Sequence, residues 1–119
     1  MADDSRHADV GARYAQALYD LAEQGGSVAA VEADLTGLVQ MRAESRDFRR
    51  LLDSPTLGAE DKAKGVLAIA DAAQVTPLTR KFLGLLGANA RVAALPAIAS
   101  AYKRLAADKR GAIAAEVVT

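Results

Sequence analysis

Between Tyr14 and Ala22 only Gln16 and Asp20 are polar, and with Arg13 and Glu23 at the flanks the polar positions are 13, 16, 20 and 23. That is one narrow stripe at helical spacing, so the segment predicts a helix whose remaining circumference is apolar or amphipathic. A helix on the surface of a globular domain normally buries one face and solvates the other. This one has two surfaces to satisfy, its own core and something else. The pattern points to an interaction module, with a partner helix lying in a groove as the leading mode of recognition.

The rest of the chain continues the helical rhythm. The first helix is expected over 10–24, ended by Gly25-Gly26, where the backbone can take positive φ. Ser27 is the expected N-cap of a second helix carrying Val28, Val31, Leu35, Leu38 and Val39. A short third helix is capped by Ser45, turns Phe48, Leu51 and Leu52 inward, and stops at Ser54-Pro55. The fourth follows Gly58, with Glu60 and Asp61 in its first turn, and runs through Val66 and Ile69 to about residue 73. Thr76-Pro77 is the clearest start signal, a capping hydroxyl followed by proline at the first helical position, and opens a fifth helix to about residue 89. The sixth starts near Val92, tolerates Pro96 in its first turn, and places Leu95, Ile98, Tyr102 and Leu105 on one face. The expected fold is all-α, a six-helix bundle.

Residues 111–119 differ, alternating weakly and ending on Val117, Val118 and Thr119, which predicts a strand. A lone strand is not stable, so this tail is expected to be the start of a truncated second domain. The expected division is a disordered leader over 1–8, the six-helix domain over 9–108, and a linker with the first strand of a further domain over 109–119.

A second stretch, Phe82-Leu-Gly-Leu-Leu-Gly-Ala88, contains no polar residue. Gly84 and Gly87 fall inside the predicted fifth helix, where each costs roughly 1 kcal/mol relative to alanine. The usual compensation is close approach of another backbone, most simply a neighbouring helix of the bundle. The first and fifth helices thus share an apolar circumference wider than one core contact requires. If they lie side by side, Tyr14, Leu18 and Leu21 with Phe82, Leu85 and Leu86 line a groove for a third, amphipathic helix.

Composition narrows the alternatives. The absence of cysteine removes disulfides, thiolate metal sites and a cysteine nucleophile. Formal charge is zero but uneven: residues 1–61 hold twelve acids against six bases, and 62–119 hold three against nine, which suits complementary helices within one fold. The leader Met1-Ala-Asp-Asp-Ser-Arg-His has neither secretory nor transit-peptide character. No run approaches about 18 apolar residues, so no membrane insertion is expected. His7 is the only histidine and has no nucleophile or ligand arrangement around it, so no catalytic residue, cofactor or metal is expected. A small helical enzyme would need a pocket with a perturbed acid or base at His7 or Asp20. The basic cluster Arg42, Arg46, Arg49 and Arg50 supports an alternative reading, a helical nucleic-acid-binding or regulatory domain. Interleaved Glu44, Asp47 and Asp53 and a pI near 6.6 favour a salt-paired surface instead, with no nucleic acid as partner.

Three motifs in order then carry a family resemblance. Ala12-Arg13-Tyr14-Ala15-x-Ala17-Leu18-Tyr19-x-Leu21-Ala22 resembles the opening of the ATP synthase delta subunit family, whose mitochondrial counterpart is the oligomycin-sensitivity-conferring protein. Phe48-x-x-Leu51-Leu52-x-Ser54-Pro55 is similar to that family's short helix and turn. Phe82-Leu83-x-Leu85-Leu86-x-x-Asn89-x-Arg91-x-x-x-Leu95-Pro96-x-Ile98 resembles its fifth and sixth helices. The resemblance spans about residues 8–119 and implies a non-catalytic subunit of the peripheral stalk of the F-type proton-translocating ATP synthase. It implies that the N-terminal helix of an alpha subunit of the catalytic head binds between the first and fifth helices, at Tyr14, Ala17, Leu18, Leu21, Phe82, Leu85, Leu86 and Asn89. The stalk b subunits would be engaged by a C-terminal domain, to which no residue here is assigned. The acidic leader suggests the bacterial type, peripheral on the cytoplasmic face of the inner membrane.

Overall fold

Two of the capping signals work as their chemistry requires. The Ser45 hydroxyl accepts a hydrogen bond from the Phe48 N–H at 3.1 Å, and the Thr76 hydroxyl accepts from the Thr79 N–H at 3.4 Å, with Pro77 opening the helix. Ser27 departs from expectation. It precedes the second helix, but its backbone (φ −120°, ψ 23°) lacks the extended shape that aims a side chain at the free N–H groups. Its hydroxyl instead donates to the Ala22 carbonyl at 3.5 Å.

The computed structural model describes the backbone of residues 2–118 and the side chains of residues 9–109. Six helices follow one another: α1 (Ala2–Gln24), α2 (Val28–Glu44), α3 (Arg46–Asp53), α4 (Ala59–Ala73), α5 (Pro77–Ala88) and α6 (Leu95–Val118), the last preceded by a 3₁₀ turn over Val92–Ala94. The described residues contain no strand, and the fold is an all-α bundle. α1 starts before the expected residue 10, and α6 runs beyond the expected end of the domain at 108. In place of a strand at 112–119, α6 continues to Val118. A strand without a ladder partner gains nothing from its extended backbone, and Ala112, Ala114 and Ala115 are strong helix formers. Side chains of the expected leader 1–8 and of 110–119 lie outside the described residues.

The core is built on two helix pairs. α1 runs alongside α6 in the same direction, since Gly11 meets Ala97 and Tyr19 meets Tyr102 further along. A Cβ on Gly11 would stand 2.9 Å from the Ala97 carbonyl carbon, so only glycine admits this approach. Ala15, Leu18, Tyr19 and Ala22 pack here against Ile98, Ala99, Tyr102 and Ala106, all buried. The Tyr19 and Tyr102 rings stand 5.6 Å apart, and the buried Tyr102 hydroxyl donates to the Val28 carbonyl of α2 at 2.8 Å.

α5 packs along α4, where Gly87 lies against Ala63, its Cβ position 2.9 Å from the Ala63 Cα. This is the close backbone approach expected of a helical glycine. Gly84 has no such neighbour: the nearest atom to its Cβ position is Leu67 Cδ2 at 4.0 Å. Asp34 of α2 ties that helix to the start of α5. Its Oδ2 accepts from the Thr76 N–H (2.9 Å), the Thr76 hydroxyl (2.9 Å) and the hydroxyl of fully buried Thr79 (2.8 Å). Left-handed residues close three helix ends. Gly26 (φ +69°) was expected from its sequence, whereas Gln74 and Ala90 (φ +56° each) carry no sequence signal for that conformation.

Candidate functional site

Because α1 pairs with α6 and α5 with α4, the backbones of α1 and α5 do not pack closely on one another. The sequence expectation of side-by-side neighbours is met in a looser form, with side chains bridging a gap. The Tyr14 ring meets the Phe82 ring edge-on, centroids 5.9 Å apart at 73°, and the Tyr14 hydroxyl accepts a hydrogen bond from the Asn89 amide at 2.9 Å. Tyr14 therefore spans the gap and holds its width.

Above that bridge lies an open, apolar groove of two adjoining depressions. One, of about 210 Å³, is lined by Tyr14, Ala17, Leu18, Leu21, Leu78, Lys81, Phe82 and Leu85. The other, of about 370 Å³, shares Tyr14, Ala17 and Leu85 and adds Val10, Arg13 and Arg91. Their linings show that α1 and α5 run in opposite directions, since Leu21 faces Leu78 at one end while Val10 and Arg13 approach Arg91 at the other. Leu21 is 52% exposed and Leu85 49% exposed, although both are large apolar side chains.

Of the eight residues singled out from sequence, Tyr14, Ala17, Leu21 and Leu85 form accessible walls. Leu18 and Phe82 form the nearly closed floor, and Asn89 is exposed beside the Tyr14 hydroxyl. Leu86 is a correction. It is wholly buried in the core and lines neither depression, because one helical step of 100° from Leu85 turns it away from the gap. Leu78, Lys81, Val10, Arg13 and Arg91 belong to the groove and were missed. The spacing 78, 82, 85 would have supplied Leu78. The cations carried no such signal, since a charged residue beside an apolar stripe is the ordinary composition of a surface helix.

The cations on and around the groove differ in their partners. Arg80 is engaged with Asp71 by two hydrogen bonds (2.6 and 3.3 Å), and that bonding holds the Asp71 carboxyl below the usual carboxylate range. Arg42 of the basic cluster is bound to Asp53 at 2.7 Å, the salt-paired surface expected there, and Arg49 reaches the Ala43 carbonyl at 3.4 Å. Among the described residues Arg13, Lys81 and Arg91 make no ion pair or side-chain hydrogen bond. The described residues hold no cluster of metal-ligating side chains and no helix long and apolar enough to cross a membrane. His7, the other candidate for acid–base chemistry, lies outside the described side chains.

The family model described as ATP synthase delta (OSCP) subunit matches residues 10–119. The chain is 60% identical over 103 residues to the ATP synthase subunit delta of Phenylobacterium zucineum (strain HLK1), covering 87% of this chain and 56% of that one. It is 50% identical over all 119 residues to that of Caulobacter vibrioides (strain NA1000 / CB15N), covering 65% of the relative. To that of Brucella suis biovar 1 (strain 1330) it is 42% identical over 110 residues, or 92% of this chain and 59% of the relative. The chain thus spans between 56% and 65% of the length of these relatives. On this evidence the chain belongs to the ATP synthase delta (OSCP) subunit family.

Proposed function

We propose that this domain is a non-catalytic coupling element of the F-type ATP synthase, which holds the N-terminal helix of an alpha subunit in the groove between α1 and α5. In that role the subunit joins the stationary catalytic head to the peripheral stalk, on the cytoplasmic side of the membrane, so that rotor torque drives synthesis instead of turning the head. The observation that carries the reading is the pair of half-exposed leucines, Leu21 and Leu85, on opposite walls of an apolar cleft. Burying what each still exposes would contribute roughly 1 kcal/mol. The mechanism asks nothing of acids, bases or nucleophiles. It asks for a rigid seat, and Tyr14, bonded to Asn89 and packed on Phe82, supplies one. Contact with the stalk b subunits is assigned to the part of the longer relatives outside these 119 residues. The domain boundary near 109 is proposed on the same footing.

Titrating the chain with a peptide of the alpha-subunit N-terminus, followed by amide chemical shifts, tests this. Saturable shifts centred on Tyr14, Leu21, Phe82 and Leu85 are expected. Shifts confined to the 42–50 segment, or none at all, would sink the groove reading. A nucleic-acid reading of Arg42, Arg46, Arg49 and Arg50 would show itself instead as duplex or single-strand binding that collapses with salt.

A further inference from the structure

The groove is apolar along its length but not electrically neutral at its ends. Arg13 from α1 and Arg91, just after α5, line the same depression, both exposed and both without a partner among the described residues. Elsewhere on the surface Arg42 holds Asp53 and Arg80 holds Asp71, whereas Arg46, Arg50 and Arg104 hold no acid among the described residues. Arg13 and Arg91 are set apart by their place, since the two guanidiniums flank one mouth of an apolar cleft. Guanidinium groups offer forked donors that match carboxylates.

We infer that Arg13 and Arg91 form a cationic clamp that reads charge on the docked helix, selecting one that carries carboxylates near one end and fixing that end over the Val10–Arg91 mouth. The inference rests on the groove reading and adds to it a rule for which amphipathic helices fit and which way round they lie. The apolar walls hold any helix with a suitable stripe; direction along the cleft is left open by them. Two arginines at the Val10–Arg91 mouth, against the single Lys81 in the Leu21–Leu78 depression, bias that direction. Rim charges of this kind act chiefly on association rate and salt dependence, so the selectivity is greatest at low ionic strength and fades as the screening length shrinks to about 8 Å near 0.15 M.

The test uses the full 119-residue chain and two synthetic amphipathic peptides with the same leucine stripe, one with a pair of glutamates at one end and the other with glutamines in their place. At low salt the glutamate peptide is expected to bind about tenfold more tightly, with the advantage lost by high salt. In Arg13→Gln/Arg91→Gln the two peptides should bind alike, at the affinity of the glutamine peptide. A spin label at the glutamate end should broaden the amides of Val10 and Arg91 and spare those of Leu21 and Leu78. Equal binding of both peptides to the wild-type chain, or broadening at Leu78, would overturn the clamp while leaving the groove standing. Failure of both peptides to bind would overturn the groove and the clamp together. Circular dichroism of the double variant guards against misfolding, and the exposure of both side chains predicts an unchanged spectrum.

Discussion

α1 shows two different kinds of apolar surface on one helix. Its α6 side carries Gly11, Ala15, Tyr19 and Ala22, small residues around one large ring, and these admit the second helix so closely that the seam is buried. Its α5 side carries Tyr14, Ala17 and Leu21, and faces a helix held off by a ring contact and a side-chain hydrogen bond. Leu18 lies between them and serves both, as core and as groove floor. Apolar content is similar on the two sides. The distance of the facing backbone differs, and that distance is set by glycine and alanine on one side and by an aromatic spacer on the other. An apolar surface becomes a binding site where the fold withholds its own partner.

The sharpest way to break the comparison is to exchange the consequences of the two sides. Gly11→Val places branched carbons where the Ala97 backbone already stands, and should cost roughly 3 kcal/mol or more of stability by overpacking. Leu85→Glu on the open wall should leave stability within about 0.5 kcal/mol. It should nevertheless abolish binding of the alpha-subunit peptide. Denaturant unfolding and the peptide titration, run on both variants, give the four numbers. A stable Gly11→Val protein would mean the α1/α6 seam is looser than described, and a destabilised Leu85→Glu protein would mean the groove is part of the core.

Much of this was legible in the sequence, for reasons that can be assigned. The helices followed from their periodicity and from Ser45, Thr76 and Pro77, whose capping chemistry is local. The groove followed from the narrowness of the 13, 16, 20, 23 stripe, since no single packed neighbour covers so wide an apolar arc. What stayed hidden depends on neighbours distant in the chain. Leu85 and Leu86 are equally apolar, and only the positions of α1 and the core decide that one is exposed and the other buried. Gln74 and Ala90 sit at left-handed helix ends that sequence normally marks with glycine. The tail was read as a strand because its β-branched end was weighed above its alanines, and it continues α6 instead.

Gly84 and Gly87 sharpen the same contrast within α5. Both were read as sites of close approach, yet only Gly87 meets a backbone, at Ala63 of α4, while Gly84 faces open space bounded by Leu67. Gly87→Ala is therefore expected to lose about 1–3 kcal/mol by overpacking. Gly84→Ala, which adds a methyl at ordinary contact distance, should gain up to about 1 kcal/mol of helix propensity. Opposite signs from one substitution three residues apart are the expected result in thermal or denaturant unfolding. The same sign for both would show that the α4/α5 seam is not closed at Gly87 alone.

A last effect, absent at neutral pH, compares two tyrosines, one on each side of α1. Tyr14 on the open side has its hydroxyl at the surface with Asn89, whereas Tyr102, packed on the sealed side, is fully buried with its hydroxyl on the Val28 carbonyl. Burial, with the nearby negative charge of Glu32 adding to it, pushes the Tyr102 phenol up to about 12. In the unfolded chain it ionises near 10. Between these values the folded protein keeps a proton that the unfolded chain has released, so stability must fall as pH rises through the interval. The contribution is fully present below about pH 10, and its loss is complete only above about pH 12. Tyr102→Phe removes the titration along with the hydrogen bond to Val28. The stability difference between wild type and variant should accordingly be constant below about pH 10 and then move against the wild type by up to about 1.4 kcal/mol per pH unit. A difference that stays flat to pH 12 would mean that water reaches the Tyr102 hydroxyl, and that the side of α1 taken to be sealed is as open as the groove.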